Sequence, residues 1–268
     1  MRKMRHGLFL PPFDDLADPA ELVELAVGIE AHGWDGLFLW DHVNRPDPPR
    51  PVGDAWILLA AVAQATSRIR LGPMITPLAR RRPQRLARET VTLDHLSGGR
   101  LVLGVGLGVD TGRELSAFGE IVDPAARGRL LTEGLDLLCD LWSGEPVDHD
   151  GEFFTARGVQ FLPTPVQRPR IPIWLAARTL NDAPLRRAAR FDGLFPIELT
   201  PDQIADVLGR IASLRGGLDG FEVASGGDPG DDPSPYAAAG VTWWMTGFDP
   251  GATVAEVGRV VEAGPPGG

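Results

Sequence analysis

Residues 67–108 read SRIRLGPMITPLARRRPQRLARETVTLDHLSGGRLVLGVGLG. Two short apolar runs of β type, 69–75 and 101–105, flank a helical stretch over 83–96 that Ser97-Gly98-Gly99 stops. A strand, a helix and a second strand in this order form a unit whose strands lie parallel, joined by a right-handed crossover.

The alternation continues in both directions. Upstream, a strand over 5–10 precedes a helix over 19–32, with Asp18 as N-cap and Gly33 as its end. A strand over 36–40 and a helix over 54–66 follow. Downstream, a helix over 124–142 leads into residues 145–170, which break the pattern with an inserted hairpin and a proline-rich connector. Strands over 171–175, 193–196, 220–224 and 241–245 then alternate with helices over 180–190, 201–214, a short one within 231–239, and 253–262. These units number eight, and a (β/α)8 barrel takes roughly 250 residues. At 268 residues the chain is therefore expected to be an α/β protein with a single TIM-barrel domain over 1–268, carrying the insertion and a shortened C-terminal part. The alternative, an open doubly wound sheet, calls for a glycine fingerprint after the first strand, and LPPFDDLADP at 10–19 has none.

Composition narrows the function. With 43% hydrophobic and 23% charged residues the chain is an ordinary globular one, not a disordered one. No apolar run approaches the ~20 residues of a membrane span. The N-terminal MRKMRHGLFLPPF lacks a small-residue cleavage site, so a cytoplasmic location is expected. A net charge of −10 disfavours nucleic acid and anionic membranes as partners. The lone Cys139 excludes a disulfide framework and a cysteine-rich zinc site, and reads as a core thiol.

Barrel chemistry sits where strands end. The second strand ends at Trp40-Asp41-His42, and a histidine there, beside a carboxylate and an indole, can move protons near neutral pH. Asp41 and His42 are thus the expected catalytic pair. His6, His32, His95 and His149 fall elsewhere, so a barrel hydrolase with collected metal ligands is disfavoured and no metal is expected. The glycines of GVGLGVD at 104–110 suit close approach of a ligand or a backbone. Arg80, Arg81, Arg82, Arg85 and Arg88 crowd a helix N-terminus, where positive charge is unfavourable. They form either a solvated edge, paired with Glu89 or a partner subunit, or an anion site.

Several stretches together resemble the bacterial luciferase-like monooxygenase family of flavin- and deazaflavin-dependent oxidoreductases, which includes coenzyme F(420)-dependent enzymes. They are GLFLPP, HGWDGLFLWDHV, the opening quotation, RPRIPIWLAA, RFDGLFPI and AGVTWW. The resemblance implies an enzyme acting on a small organic substrate by hydride transfer or oxygen activation, with F(420) or FMN as cofactor. It implies that Asp41 and His42 lie over the ring, with Met74, Ile75 and Thr76 behind it and a cis peptide between Met74 and Ile75. Gly106, Leu107 and Gly108 would line the ring, and Ala176, Ala177, Arg178 and Thr179 would meet a phosphate. The acid that some deazaflavin enzymes carry after these glycines matches Val109, with Asp110 next, which leaves the general acid unassigned. The family also implies a homodimer, for which the nearly all-apolar AWILLAAVAQA at 55–65 is a candidate surface. A different class of function, a non-catalytic flavin-binding protein on the same fold, stays open. The loops over 43–53, 109–122 and 145–170 would shape the pocket.

Overall fold

The computed structural model describes residues 3–45, 48–179 and 181–267. β1 (Arg5–Leu10) leads to α1 (Pro19–Ala31), where the Asp18 carboxylate accepts the amides of Ala20 and Glu21. β2 (Gly36–Leu39), α2 (Ala55–Ala65), β3 (Arg70–Pro73), β4 (Thr76–Pro77), α3 (Pro83–Leu96), β5 (Leu103–Gly106) and α4 (Pro124–Ser143) follow. β6 (Pro146–Asp150) and β7 (Thr155–Gln160) form the inserted antiparallel hairpin. The chain then returns to β8 (Ile173–Ala177), α5 (Asp182–Ala188), β9 (Gly193–Pro196) and α6 (Pro201–Arg215). It continues with β10 (Glu222–Gly227), α7 (Ser234–Ala238), β11 (Trp243–Gly247) and α8 (Val254–Ala263). α6 and α8 each begin with a capping box, Thr200 with Gln203 and Thr253 with Glu256.

The parallel sheet runs β3-β2-β1-β11-β10-β9-β8-β5-β4. β3 and β4 are two pieces of one barrel strand, interrupted at Met74-Ile75, whose peptide bond is cis. Backbone bonds from Leu71 N to Arg100 O and from Val102 N to Leu71 O bring β3 onto the approach to β5 and close the ring. Among the described residues the barrel therefore has eight strands, as expected. The continuous third strand expected over 69–75 is corrected to these two pieces: Pro73 and Pro77 lack the amides a continuous ladder needs.

Alternation along the strands separates two cores. Leu37 and Leu39 of β2 face the helices, together with Leu8, Leu71, Leu103 and Ile173. Phe38 faces inward, where it meets Met74, Val102, Trp174, Phe195, Ala224, Trp243 and Met245. The rings of Phe38, Trp174 and Trp243 lie 5.7 Å apart pairwise, so the barrel is filled rather than hollow. Gly193 makes room for this packing: a Cβ there would lie 2.5 Å from the Trp174 ring.

Three strands begin and end about two residues later than expected. β8, β10 and β11 replace 171–175, 220–224 and 241–245. The apolar starts, such as Ile171 and Val241, are buried in the layer beneath the helices before strand pairing begins. At the far end Gly226 and Gly227 still pair with β11 although they carry no hydrophobic signal. Gly226 lies so close to its neighbour that a Cβ would fall 2.3 Å from Met245 O. The fifth helix is shorter than expected, and its anticipated start, Leu180, lies outside the described residues.

Candidate active site

Both expected catalytic residues follow β2 at the C-terminal mouth of the barrel. Asp41 is buried, and its carboxylate accepts Thr76 Oγ1 at 2.7 Å, Trp56 Nε1 at 3.2 Å and Arg81 Nη2 at 3.0 Å. Its backbone oxygen accepts Arg80 Nη2 at 2.6 Å. The carboxylate is thus fully engaged in holding the start of the loop.

His42 differs. Its ring lies 5.6 Å from Phe13 and 5.7 Å from Trp40. Nδ1 stands 2.9 Å from Glu114 Oε2, and no hydrogen bond reaches Nε2 among the described residues. Glu114 is buried in the loop after β5, and its other oxygen accepts the amides of Val43 at 2.6 Å and Asn44 at 3.2 Å. Burial works against its charge, but the hydrogen bond and charge of His42, the Val43 amide and nearby Arg80 outweigh that, so its pKa is lowered. An ionised Glu114 accepts a hydrogen bond from Nδ1–H, which keeps the proton on Nδ1 and leaves the lone pair on Nε2.

Sequence reasoning missed Glu114. The glycines direct attention to the positions next to them, Val109 and Asp110. Asp110 instead folds the loop: its Oδ1 accepts the amides of Leu115 and Ser116, and Arg113 takes a positive φ of 54°. This turn brings Glu114 back onto the loop after β2. The only sequence signal was an acid at 110 able to cap a turn.

The arginine group divides. Arg80 and Arg81 are neither a solvated edge nor a free anion site. Arg80 is buried between the carboxylates of Asp41 and Glu114, each 3.8 Å away, and Arg81 bridges Asp41 and Glu89. Arg85, 79% exposed, pairs with Glu89 and fits the solvated reading. Arg88 lies over the Phe161 ring of the insertion.

The residues expected around a cofactor also gather at the mouth. Met74 is buried in the inner core, Ile75 and Ala176 are half-buried on top of it, and Thr76 is the buried partner of Asp41. Gly106 lies between Ile75 and Ala176, so close that a Cβ would be 2.8 Å from Ile75 Cδ1. Leu107 and Gly108 carry on from β5, and their carbonyls accept Arg127 Nη1 at 2.9 and 2.8 Å. Ala177 is buried in the helix-facing core, while Arg178, paired with Glu198, and Thr179 are exposed at the rim.

Beside this group lies a cavity of about 480 Å³. It is lined by Phe9, Trp40 and the segments that follow β9, β10 and β11, including Ile197, Glu198, Asp228, Phe248 and Asp249. It shares Trp40 with the surroundings of His42, and Trp40 Nε1 is buried without a hydrogen-bond partner among the described residues. Among the described residues no cluster of histidine, cysteine or carboxylate side chains could hold a metal ion, and no helix is long and apolar enough to cross a membrane.

The profile of the luciferase-like monooxygenases matches residues 4–226. An F(420)-dependent glucose-6-phosphate dehydrogenase of Gordonia bronchialis is 34% identical over 165 residues, 60% of this chain and 48% of that protein. The chain thus spans about half the length of the curated relatives it matches. Among solved structures, an F(420)-dependent secondary alcohol dehydrogenase in complex with an F(420)-acetone adduct superposes with a TM-score of 0.82 at 19% identity, covering 98% of both chains. The coenzyme F(420)-dependent tetrahydromethanopterin reductase of Methanopyrus kandleri gives 0.77 at 18% identity, covering 97% of this chain and 96% of that one. At such identities the likeness is one of fold.

Proposed function

Because the chain belongs to the luciferase-like monooxygenase family, we propose that it is an oxidoreductase using coenzyme F(420), or else FMN, to act on a small organic substrate. The observation that carries this reading is the His42–Glu114 couple, with Nε2 free at the mouth of the barrel.

The residues present fit a flat, largely apolar ring. Phe9, Ile75, Ala176 and Ile197 lie half-buried over the inner core as an apolar floor, and Gly106 adds no side chain to it. Arg178 and Thr179 are the groups to meet a phosphate. The ring, when bound, supplies the hydride chemistry that no side chain offers.

The side chains have separate tasks in this proposal. His42 Nε2 takes a proton from a substrate hydroxyl on oxidation and returns it in reduction. Glu114 fixes the tautomer and stabilises the imidazolium that results. Asp41, its oxygens engaged, positions the loop. We extend the proposal to a cytoplasmic homodimer. Ile57 on α2, 71% exposed, belongs to its contact, and light scattering that gives a monomer at micromolar concentration rejects the dimer.

Titration of the purified protein with F(420) and with FMN, followed by fluorescence, tests the cofactor. Saturable binding of either supports the reading, and binding of neither overturns it. His42→Ala should keep cofactor affinity and lose turnover. A changed affinity with no turnover in the parent protein points instead to a flavin-binding protein.

A further inference from the structure

The cavity beside the His42 site has a charge pattern of its own. β9, β10 and β11 are neighbours in the ring, and each is followed within two residues by an acid, Glu198, Asp228 and Asp249 respectively. All three line the cavity, and no lysine, arginine or histidine does so among the described residues. Arg178 meets the charge of Glu198 from outside the lining. The carboxylates of Asp228 and Asp249 accept no hydrogen bond among the described residues.

The opposite wall is aromatic. The Phe9 ring lies 5.5 Å from that of Trp40 at 45°, and 5.7 Å from that of Phe195 at 84°. Differently tilted rings present both faces and edges, and ring faces attract cations.

We infer that this cavity binds an organic cation, an amine or quaternary ammonium group, and turns away phosphate esters and carboxylates. Aromatic faces on one side and two exposed carboxylates with no salt bridge among the described residues on the other complement an alkylammonium group. An anion would meet the same carboxylates with no lining cation to offset them. That this ligand is the substrate rests on the oxidoreductase reading above, whereas the charge preference does not.

The test is calorimetric titration of the full chain at low ionic strength with benzyltrimethylammonium, benzyl alcohol and benzyl phosphate, checked by tryptophan fluorescence. The ammonium should bind about tenfold tighter than the alcohol, with a preference that salt weakens, and the phosphate should bind most weakly. The double variant D228N/D249N should bring the ammonium to the affinity of the alcohol and leave the alcohol unchanged. The single variants, each with an unaltered circular dichroism spectrum, should fall between. Equal or tighter binding of the phosphate, no saturation by the ammonium, or a preference that survives the double variant overturns the inference. The same samples are titrated with F(420) and FMN. Cofactor binding without the ammonium preference sinks this inference and leaves the proposed function standing. The preference without cofactor binding does the reverse.

Discussion

The two ends of the barrel treat their polar groups differently. At the end where the strands begin, Arg100 donates to the carbonyls of Ala63, Thr66, Ile69 and Ser97 and to Thr66 Oγ1, tying α2, β3 and α3 together. Asp94, fully buried, accepts the amides of Val166 and Gln167 and the Gln167 side chain, which pins the connector to α3. Glu30 gathers the amides of Ser67, Arg68 and Ile69. Buried donors without a hydrogen-bond partner among the described residues occur at both ends, Arg80 Nε and Trp40 Nε1 at the mouth and His6 Nδ1, Arg170 Nε and Arg215 Nε at the base. At the mouth, Arg113 and Glu198 hold positive φ, at 54° and 60°. Non-glycine residues seldom take such φ values. What separates the ends is that carboxylates and arginines at the base are spent on tying segments together, whereas the mouth carries the positive-φ residues Asp14, Arg113 and Glu198 and the open Nε2 of His42.

Substitutions at each end sharpen this contrast. At the mouth, His42→Ala should lower turnover by about 10²–10⁴-fold, as loss of a positioned acid–base group does. Its melting temperature should stay close to that of the parent, because the ring is half-exposed. A large fall in stability with unchanged turnover breaks the contrast.

At the base, Asp94→Ala removes a fully buried carboxylate and leaves the partly buried Val166 and Gln167 amides and the Gln167 side chain without their acceptor. We expect a loss of roughly 3 kcal/mol. For a domain this large that is about 6–12 °C in Tm by calorimetry, with turnover per folded molecule retained.

Glu30 gives a pH signature at the same end. Burial opposes its charge, but the amides of Arg68, Ile69 and Ser67 outweigh this and hold its pKa at about 2. A carboxyl depressed in the folded state stabilises above its unfolded pKa, and that stability is lost as pH falls through the folded value. Glu30→Gln should therefore be less stable than the parent at pH 7, by on the order of 1 kcal/mol after solvent screening. The difference should close as pH approaches about 2. A gap that is constant with pH contradicts the assignment. The smallest effect is expected for Arg85→Ala, 79% exposed, at under about 0.5 kcal/mol.

The fold was legible because strands and helices here follow their burial. Leu37, Phe38 and Leu39 alternate as a barrel strand must, and α3 ends where Ser97-Gly98-Gly99 stops it. What escaped depends on contacts between distant residues. Gly226 and Gly227 pair in β10 without an apolar signal, and Ile171 is apolar without pairing. At the site, Asp41-His42 stood out because both follow a strand directly. Glu114 lies 72 residues from His42, and only the turn capped by Asp110 brings them together. Arg80 and Arg81 read as surface charges because nothing local marks Asp41 as their buried partner.

The central claim is that Glu114 presents His42 with its proton on Nδ1 and Nε2 free to react. The direct measurement is the ¹⁵N spectrum of the His42 imidazole in the 268-residue chain and in Glu114→Gln, near neutral to mildly alkaline pH. The parent should show a protonated Nδ1 and a bare Nε2, and the variant should lose this fixed tautomer. A proton on Nε2 in the parent, or a spectrum unchanged by the substitution, would contradict the account.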